Sequence, residues 1–164
     1  MDAWIGLGSN LGNPGAQLKE ALLQLGDIAG IELREISGFY RTAPWGKQDQ
    51  DDFFNAVAMV ETKLQPGELL EVLLQIEHQM GRDRSAGRWG PRIIDLDLLS
   101  YDDLVMKSPS LELPHPRMHL RAFVLQPLLE LDPDFIIAGM RSAKECLSSL
   151  DGQDVEYIGT FNEQ

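Results

Sequence analysis

The chain opens on a short apolar run at residues 3–7, which reads as a buried strand, and Gly8, Ser9 and Asn10 then turn it. Asn13 before Pro14 is a helix start, a capping side chain followed by proline in the first turn. Leu18, Ala21, Leu22 and Leu25 follow at helical spacing, so a helix is expected until Gly26 or Gly30. Residues 31–40 read as a strand, 42–52 as a polar loop, and 53–62 as a second long strand. Pro66 opens a second helix, with Leu69, Leu70, Leu73, Ile76 and Met80 as its core stripe. Residues 81–91 have loop composition. The stretch 93–101 is an apolar strand interrupted by Asp95, Asp97 and Ser100. A short strand at 111–113, a helix at 120–131, a helix at 143–150 and a closing strand at 155–159 complete the pattern. Pro127 is expected to bend or shorten the third of these helices.

This order, β-α-β-β-α-β plus additions, predicts an α+β fold. The expected form is a ferredoxin-like βαββαβ core with an antiparallel sheet and helices on one face, plus extra C-terminal helices and a strand. A different α+β arrangement of the same elements is the alternative. With 164 residues and no repeat or linker, one domain over 1–164 is expected.

Charge sharpens the picture. The net charge of −12 argues against nucleic acid and anionic membrane as partners. Residues 81–92, however, hold Arg82, Arg84, Arg88 and Arg92 against Asp83 alone. The segment carries +3 and leaves −15 elsewhere. A small, highly charged anion suits such an island better than a polymer does. Cys146 is the sole cysteine, so no internal disulfide forms. The first ten residues lack signal-peptide character and no stretch has the length of a membrane span, so a cytoplasmic protein is expected.

Asp95 and Asp97 are the first candidates for chemistry. Two residues apart on a strand, they project from one face about 6.6 Å apart, while Ile94, Leu96 and Leu98 point to the core. Paired carboxylates repel unless a cation relieves them, and magnesium takes such oxygen ligands together with phosphates. A solvated strand face is the plain alternative. The arginine segment directly before this strand favours a phosphate-plus-magnesium site, because guanidinium groups grip phosphate oxygens bidentately. A second basic group, His115, Arg117, His119 and Arg121, begins at a histidine flanked by prolines. Trp45 and Trp89 lie in loops, and Phe53 shares a strand face with Asn55. An aromatic wall beside a side-chain amide can take a planar heterocycle. No P-loop, zinc set, G-x-S-x-G or RNP1 pattern is present.

The stretch 88–99, Arg-Trp-Gly-Pro-Arg-Ile-Ile-Asp-Leu-Asp-Leu-Leu, resembles the signature of the 6-hydroxymethyl-7,8-dihydropterin pyrophosphokinases of folate biosynthesis. Further similar motifs occur in order: Gly8-Ser9-Asn10-Leu11, Phe39-Tyr40-Arg41-Thr42, Phe54-Asn55, Glu77, Gly81-Arg82, Pro114-His115 and Arg121-x-Phe123. The resemblance runs from Trp4 to about Leu131. It implies transfer of pyrophosphate from ATP to the pterin hydroxymethyl group, release of AMP, and two magnesium ions held by Asp95 and Asp97. It implies catalytic roles for Arg82, Arg92 and Asp97. The ATP site would use Glu77, Arg82, Arg84, Arg88, Trp89, Arg92, Leu98, His115 and Arg121. The pterin pocket would use Thr42, Pro44, Trp45, Phe53, Asn55, Trp89, Asp95 and Phe123, with the ring between Phe53 and Phe123. Phe53 and Pro116 stand where relatives often carry tyrosine. Ser110 and Glu112 stand where some carry a basic residue and a threonine. A monomer acting on ATP and the pterin is expected. A non-catalytic binding module and a different metal-dependent phosphotransferase or phosphohydrolase are the rival readings.

Overall fold

The computed structural model describes residues 1–44, 50–81 and 93–161. The expected loop over 81–91 lies largely outside the described residues.

The first strand, β1 (Asp2–Ser9), leads into α1 (Pro14–Gly26). Asn13 starts this helix as the sequence suggests: its Oδ1 accepts the Ala16 N–H at 3.2 Å. The expected strand over 31–40 is two strands, β2 (Ile31–Ile36) and β3 (Phe39–Thr42). Ser37 makes the break. Its Oγ accepts the Val57 N–H and donates to the Gly38 carbonyl, both at 2.9 Å. Gly38 is required there, since a Cβ would lie 2.5 Å from the Tyr157 ring and 2.7 Å from the Gly159 carbonyl. Then come β4 (Phe53–Thr62) and α2 (Pro66–Gln79), whose start is tied by Glu68 Oε2 accepting the Gln65 N–H at 2.8 Å.

After α2 the chain forms β5 (Asp95–Tyr101), then β6 (Met106–Lys107) and β7 (Glu112–Leu113), which pair with each other in a separate two-stranded sheet. A 3-10 turn at Met118–Leu120 precedes α3 (Ala122–Leu131), α4 (Ala143–Ser148) and β8 (Glu156–Gly159). Pro127 does not shorten α3, which continues to Leu131. The proline lies on the buried side with Leu125 and Leu128, and that packing outweighs one missing helical hydrogen bond.

The main sheet runs β5-β1-β4-β3-β8, with β2 also pairing β4, and every pairing is antiparallel. Helices α1 and α2 cover one face. There Ile5, Leu7, Val60, Leu96 and Leu98 meet Leu18, Leu25, Leu69, Leu73 and Ile76, all buried. The expected extra C-terminal helix α3 packs on β3 and β4 from the other side of the sheet. It builds a second core from Val57, Leu99, Met118, Leu125 and Leu128. Its apolar residues need a surface, and the outward-facing Val57 and Leu99 supply one. Among the described residues, no helix is long and apolar enough to cross a membrane.

Candidate active site

Strand β5 alternates as predicted. Ile94, Leu96 and Leu98 are 0, 4 and 3% exposed, while Asp95 and Asp97 are half-buried on the opposite face. The register places Gly8 of β1 between Asp95 of β5 and Asn55 of β4, and Gly6 between Asp97 and Val57. Directly paired residues share a face. Asp95, Gly8 and Asn55 therefore form one row across the sheet, with Tyr40 of β3 next in line. The glycine keeps the floor of this row open: a Cβ at Gly8 would sit 3.2 Å from Asn55 Oδ1. Asn55 is 5% exposed and donates from Nδ2 to Thr42 Oγ1 at 3.2 Å, which orients its amide. Phe53 and Thr42 lie on the same face, and Pro44 is buried just beyond.

A cleft of about 540 Å³ runs along the outer edge of β5, the last strand of the sheet among the described residues, between α2 and the segment 108–117. Its wall brings together Glu77, Asp95, Asp97, Leu98, His115 and Arg121, six of the residues singled out in the sequence. Glu77 is 2% exposed, and its Oε2 accepts the N–H of Leu96 at 2.7 Å. An edge-strand donor is thereby satisfied between the two aspartates. Arg121 Nη1 stands 3.8 Å from Asp97 Oδ2, and its guanidinium carbon is 5.6 Å from the Phe123 ring centre. Phe123 is half-buried in the first turn of α3, against the second core.

His115 sits between Pro114 and Pro116. Its Nδ1 accepts the Arg117 N–H at 3.1 Å, so in the neutral ring Nε2 carries the proton. Burial, then the positive charge of Arg121, push its pKa down to about 4, against a smaller opposite pull from Asp95. Near neutral pH His115 is an uncharged donor.

Two parts of the expected site thus stand on one sheet. The nucleotide set lines the edge cleft. The pterin set, Thr42, Pro44, Phe53, Asn55 and Phe123, lies outside that lining, on or beside the face reached through Gly8. Trp45, Arg82, Arg84, Arg88, Trp89 and Arg92 lie outside the described residues.

The wall also holds Arg117, a member of the second basic group, and Leu70, Leu74, Ser108 and Leu111, to which the sequence assigns no site role. Leu70 and Met80 are half-buried and pack against the first core, beside the fully buried Leu69, Leu73, Ile76 and Glu77. Leu70, Leu74 and Glu77 are spaced i, i+4, i+7 and form a second stripe beside the first. That spacing, ending on an acid, was the available signal.

The donor set also suits a divalent cation. Asp95 and Asp97 offer carboxylate oxygens from one face over glycine-floored space, and magnesium binds one or two carboxylates and completes its shell with phosphate and water. Among the described residues, no cluster of three acidic, histidine or cysteine side chains offers a metal an all-protein cage.

An antiparallel α+β sheet with a carboxylate pair and cationic donors at its edge is the equipment of a transferase that handles phosphate groups. The chain belongs to the 7,8-dihydro-6-hydroxymethylpterin-pyrophosphokinase (HPPK) family, whose model matches residues 4–133. The 2-amino-4-hydroxy-6-hydroxymethyldihydropteridine pyrophosphokinase of Methylorubrum extorquens is 45% identical over 156 residues, covering 95% of this chain and 98% of that protein. The enzyme of the same name from Haemophilus influenzae is 44% identical over 135 residues, covering 82% and 84%. Among solved structures, the HPPK-DHPS of Plasmodium falciparum with pteroate superposes with a TM-score of 0.72 at 16% identity. That match covers 90% of this chain and 44% of the other, so this chain spans less than half of that protein, and the likeness concerns the fold.

Proposed function

We propose that this protein transfers the pyrophosphoryl group of ATP to the hydroxymethyl oxygen of 6-hydroxymethyl-7,8-dihydropterin and releases AMP. One observation carries the reading: the β5-edge cleft holds Asp95, Asp97, Glu77, His115 and Arg121, and the Gly8 row joins Asp95 to Asn55. The names of the family and of its relatives support the same reaction.

In this reading the substrate hydroxyl attacks the β-phosphorus. A new C–O–P bond forms, the bridging bond to the α-phosphate breaks, and AMP departs with the electron pair. Asn55, held by Thr42, hydrogen-bonds the polar edge of the pterin, and Phe53 and Phe123 stack on its faces. His115 donates one neutral hydrogen bond to the triphosphate. Arg121 adds a positive charge beside Asp97. Arg82 and Arg92, through the family resemblance, neutralise charge on the transferring group. Asp95 and Asp97 would hold two magnesium ions, which supply charge neutralisation and acidify the attacking hydroxyl. Asp97 accepts the proton.

The finer fold description, a ferredoxin-like βαββαβ core, is part of this proposal. It is supported by the order β5-β1-β4 with β2 and β3 outside, and by α1 and α2 on one face. The protein is further proposed to act as one domain, as a monomer in the cytoplasm, where the unbridged, buried Cys146 stays reduced.

AMP formation from Mg-ATP, measured with and without the hydroxymethyl dihydropterin, tests the reaction. The proposal expects AMP only when the pterin is present. Phosphate release without pterin would mean a hydrolase, and no turnover with both substrates bound would mean a binding module.

A further inference from the structure

Arg117 lies on the wall of the β5-edge cleft, and the resemblance that assigns roles to His115 and Arg121 on either side assigns none to it. We propose that Arg117 is a further nucleotide-contacting residue, its guanidinium gripping the phosphate chain beside His115. This rests on the reading that the cleft takes a nucleoside triphosphate.

The local chain is built to present both side chains. The Arg117 N–H donates to His115 Nδ1 at 3.1 Å, the Met118 N–H to the His115 carbonyl at 3.3 Å, and the Leu120 N–H to the Arg117 carbonyl at 3.0 Å. The His115 N–H is itself anchored to the Leu99 carbonyl of β5 at 2.8 Å. This tight turn is therefore fastened to the strand that carries Asp97, and Arg117 is half-buried on it.

Charge decides what Arg117 does there. The described wall carries four carboxylates, Glu77, Asp95, Asp97 and Glu112, against two guanidinium groups, Arg117 and Arg121. His115 adds a donor and no charge, because burial and Arg121 keep it neutral. Arg121 faces Asp97 at 3.8 Å, on the β5 side of the cleft. A polyanion entering along this wall needs a cation on the 108–117 side, and Arg117 is the guanidinium that side supplies. A guanidinium can take two phosphate oxygens at once, which a histidine cannot. Arg117 thus serves twice: its backbone sets the His115 tautomer and its side chain supplies charge. The two roles separate experimentally, because substitution removes only the second.

The test is titration of wild type, Arg117→Gln and Arg117→Glu with magnesium and non-hydrolysable α,β-methylene ATP, beside steady-state kinetics. Charged hydrogen bonds of this kind are worth roughly a factor of ten or more in affinity. Arg117→Gln is expected to weaken the analogue about 10-fold and Arg117→Glu about 100-fold. KM for ATP should rise with them while kcat at saturation and pterin affinity stay within about twofold. Arg117→Lys, keeping the charge without the fork, should fall between wild type and Arg117→Gln. Unchanged analogue affinity in Arg117→Glu, with wild type binding normally, overturns the role of Arg117 alone. Failure of wild type to bind the analogue overturns the nucleotide reading and this inference with it. A loss shared equally by pterin affinity and kcat would mark a folding defect and overturn the specific role.

Discussion

The two faces of the main sheet are made from the same strands and do opposite things. Under α1 and α2, the residues Ile5, Leu7, Val60, Leu96 and Leu98 are closed off from water against leucine and isoleucine. On the other face, the positions in between are Gly6, Gly8, Asn55, Asp95 and Asp97. Helix α3 covers only part of that face, over Val57 and Leu99. Where its cover ends, polar and charged side chains stand on a rigid floor. Strand alternation lets one set of backbone hydrogen bonds serve both faces: the sealed face supplies rigidity, and in the proposed function the half-covered face supplies the chemistry.

The largest effect should come from breaking the half-covered face. Asp97→Asn is expected to lower the single-turnover rate about a thousandfold, about 4 kcal/mol in the barrier, with little change in the urea midpoint. A rate within tenfold of wild type would remove Asp97 from the chemistry. On the sealed face, Leu73→Ala should do the reverse. Leu73 is fully buried, so equilibrium unfolding should show a loss of about 3 kcal/mol, with kcat per folded molecule unchanged. A fall in kcat without loss of stability would contradict the division between faces.

Two smaller effects sharpen it. Gly8→Ala places a Cβ 3.2 Å from Asn55 Oδ1. The pterin affinity, read by calorimetry, should weaken about 10-fold while thermal stability moves little. The smallest effect concerns pH. The His115 pKa is lowered from 6.5 to about 4 in the folded protein. The unfolded chain therefore binds the extra proton first. The stability associated with neutral His115 is complete above about pH 6.5 and is lost as pH falls towards 4. Urea midpoints from pH 7 to 5 should fall more steeply for wild type than for His115→Gln; parallel slopes would mean the shift is not there.

Much of this contrast could be read from the chain. The bounds of β4, the starts of α1 at Asn13-Pro14 and of α2 at Pro66, and the opposed directions of Asp95 and Leu96 all follow from local chemistry and period. What escaped depends on contacts between distant segments. The break at Ser37 arises because its hydroxyl serves the Val57 N–H, twenty residues away. An amphipathic pattern says that α3 is half-buried, and the pattern cannot say which face of the sheet will bury it. Leu70 belongs to the core stripe by period and does pack against the core; only the cleft beside β5 makes it a wall residue with Leu74 as well. The link between Asp95 and Asn55 needed the register of two separate strands on Gly8, which no single segment contains.

The central claim is that the half-covered face moves two phosphates together. Phosphorus NMR of a reaction of Mg-ATP with 6-hydroxymethyl-7,8-dihydropterin reads this directly. The account predicts AMP and a pterin carrying an alkyl pyrophosphate, with both the β- and γ-phosphorus of ATP in that product. ADP with a pterin monophosphate, or free phosphate with unmodified pterin, would contradict it.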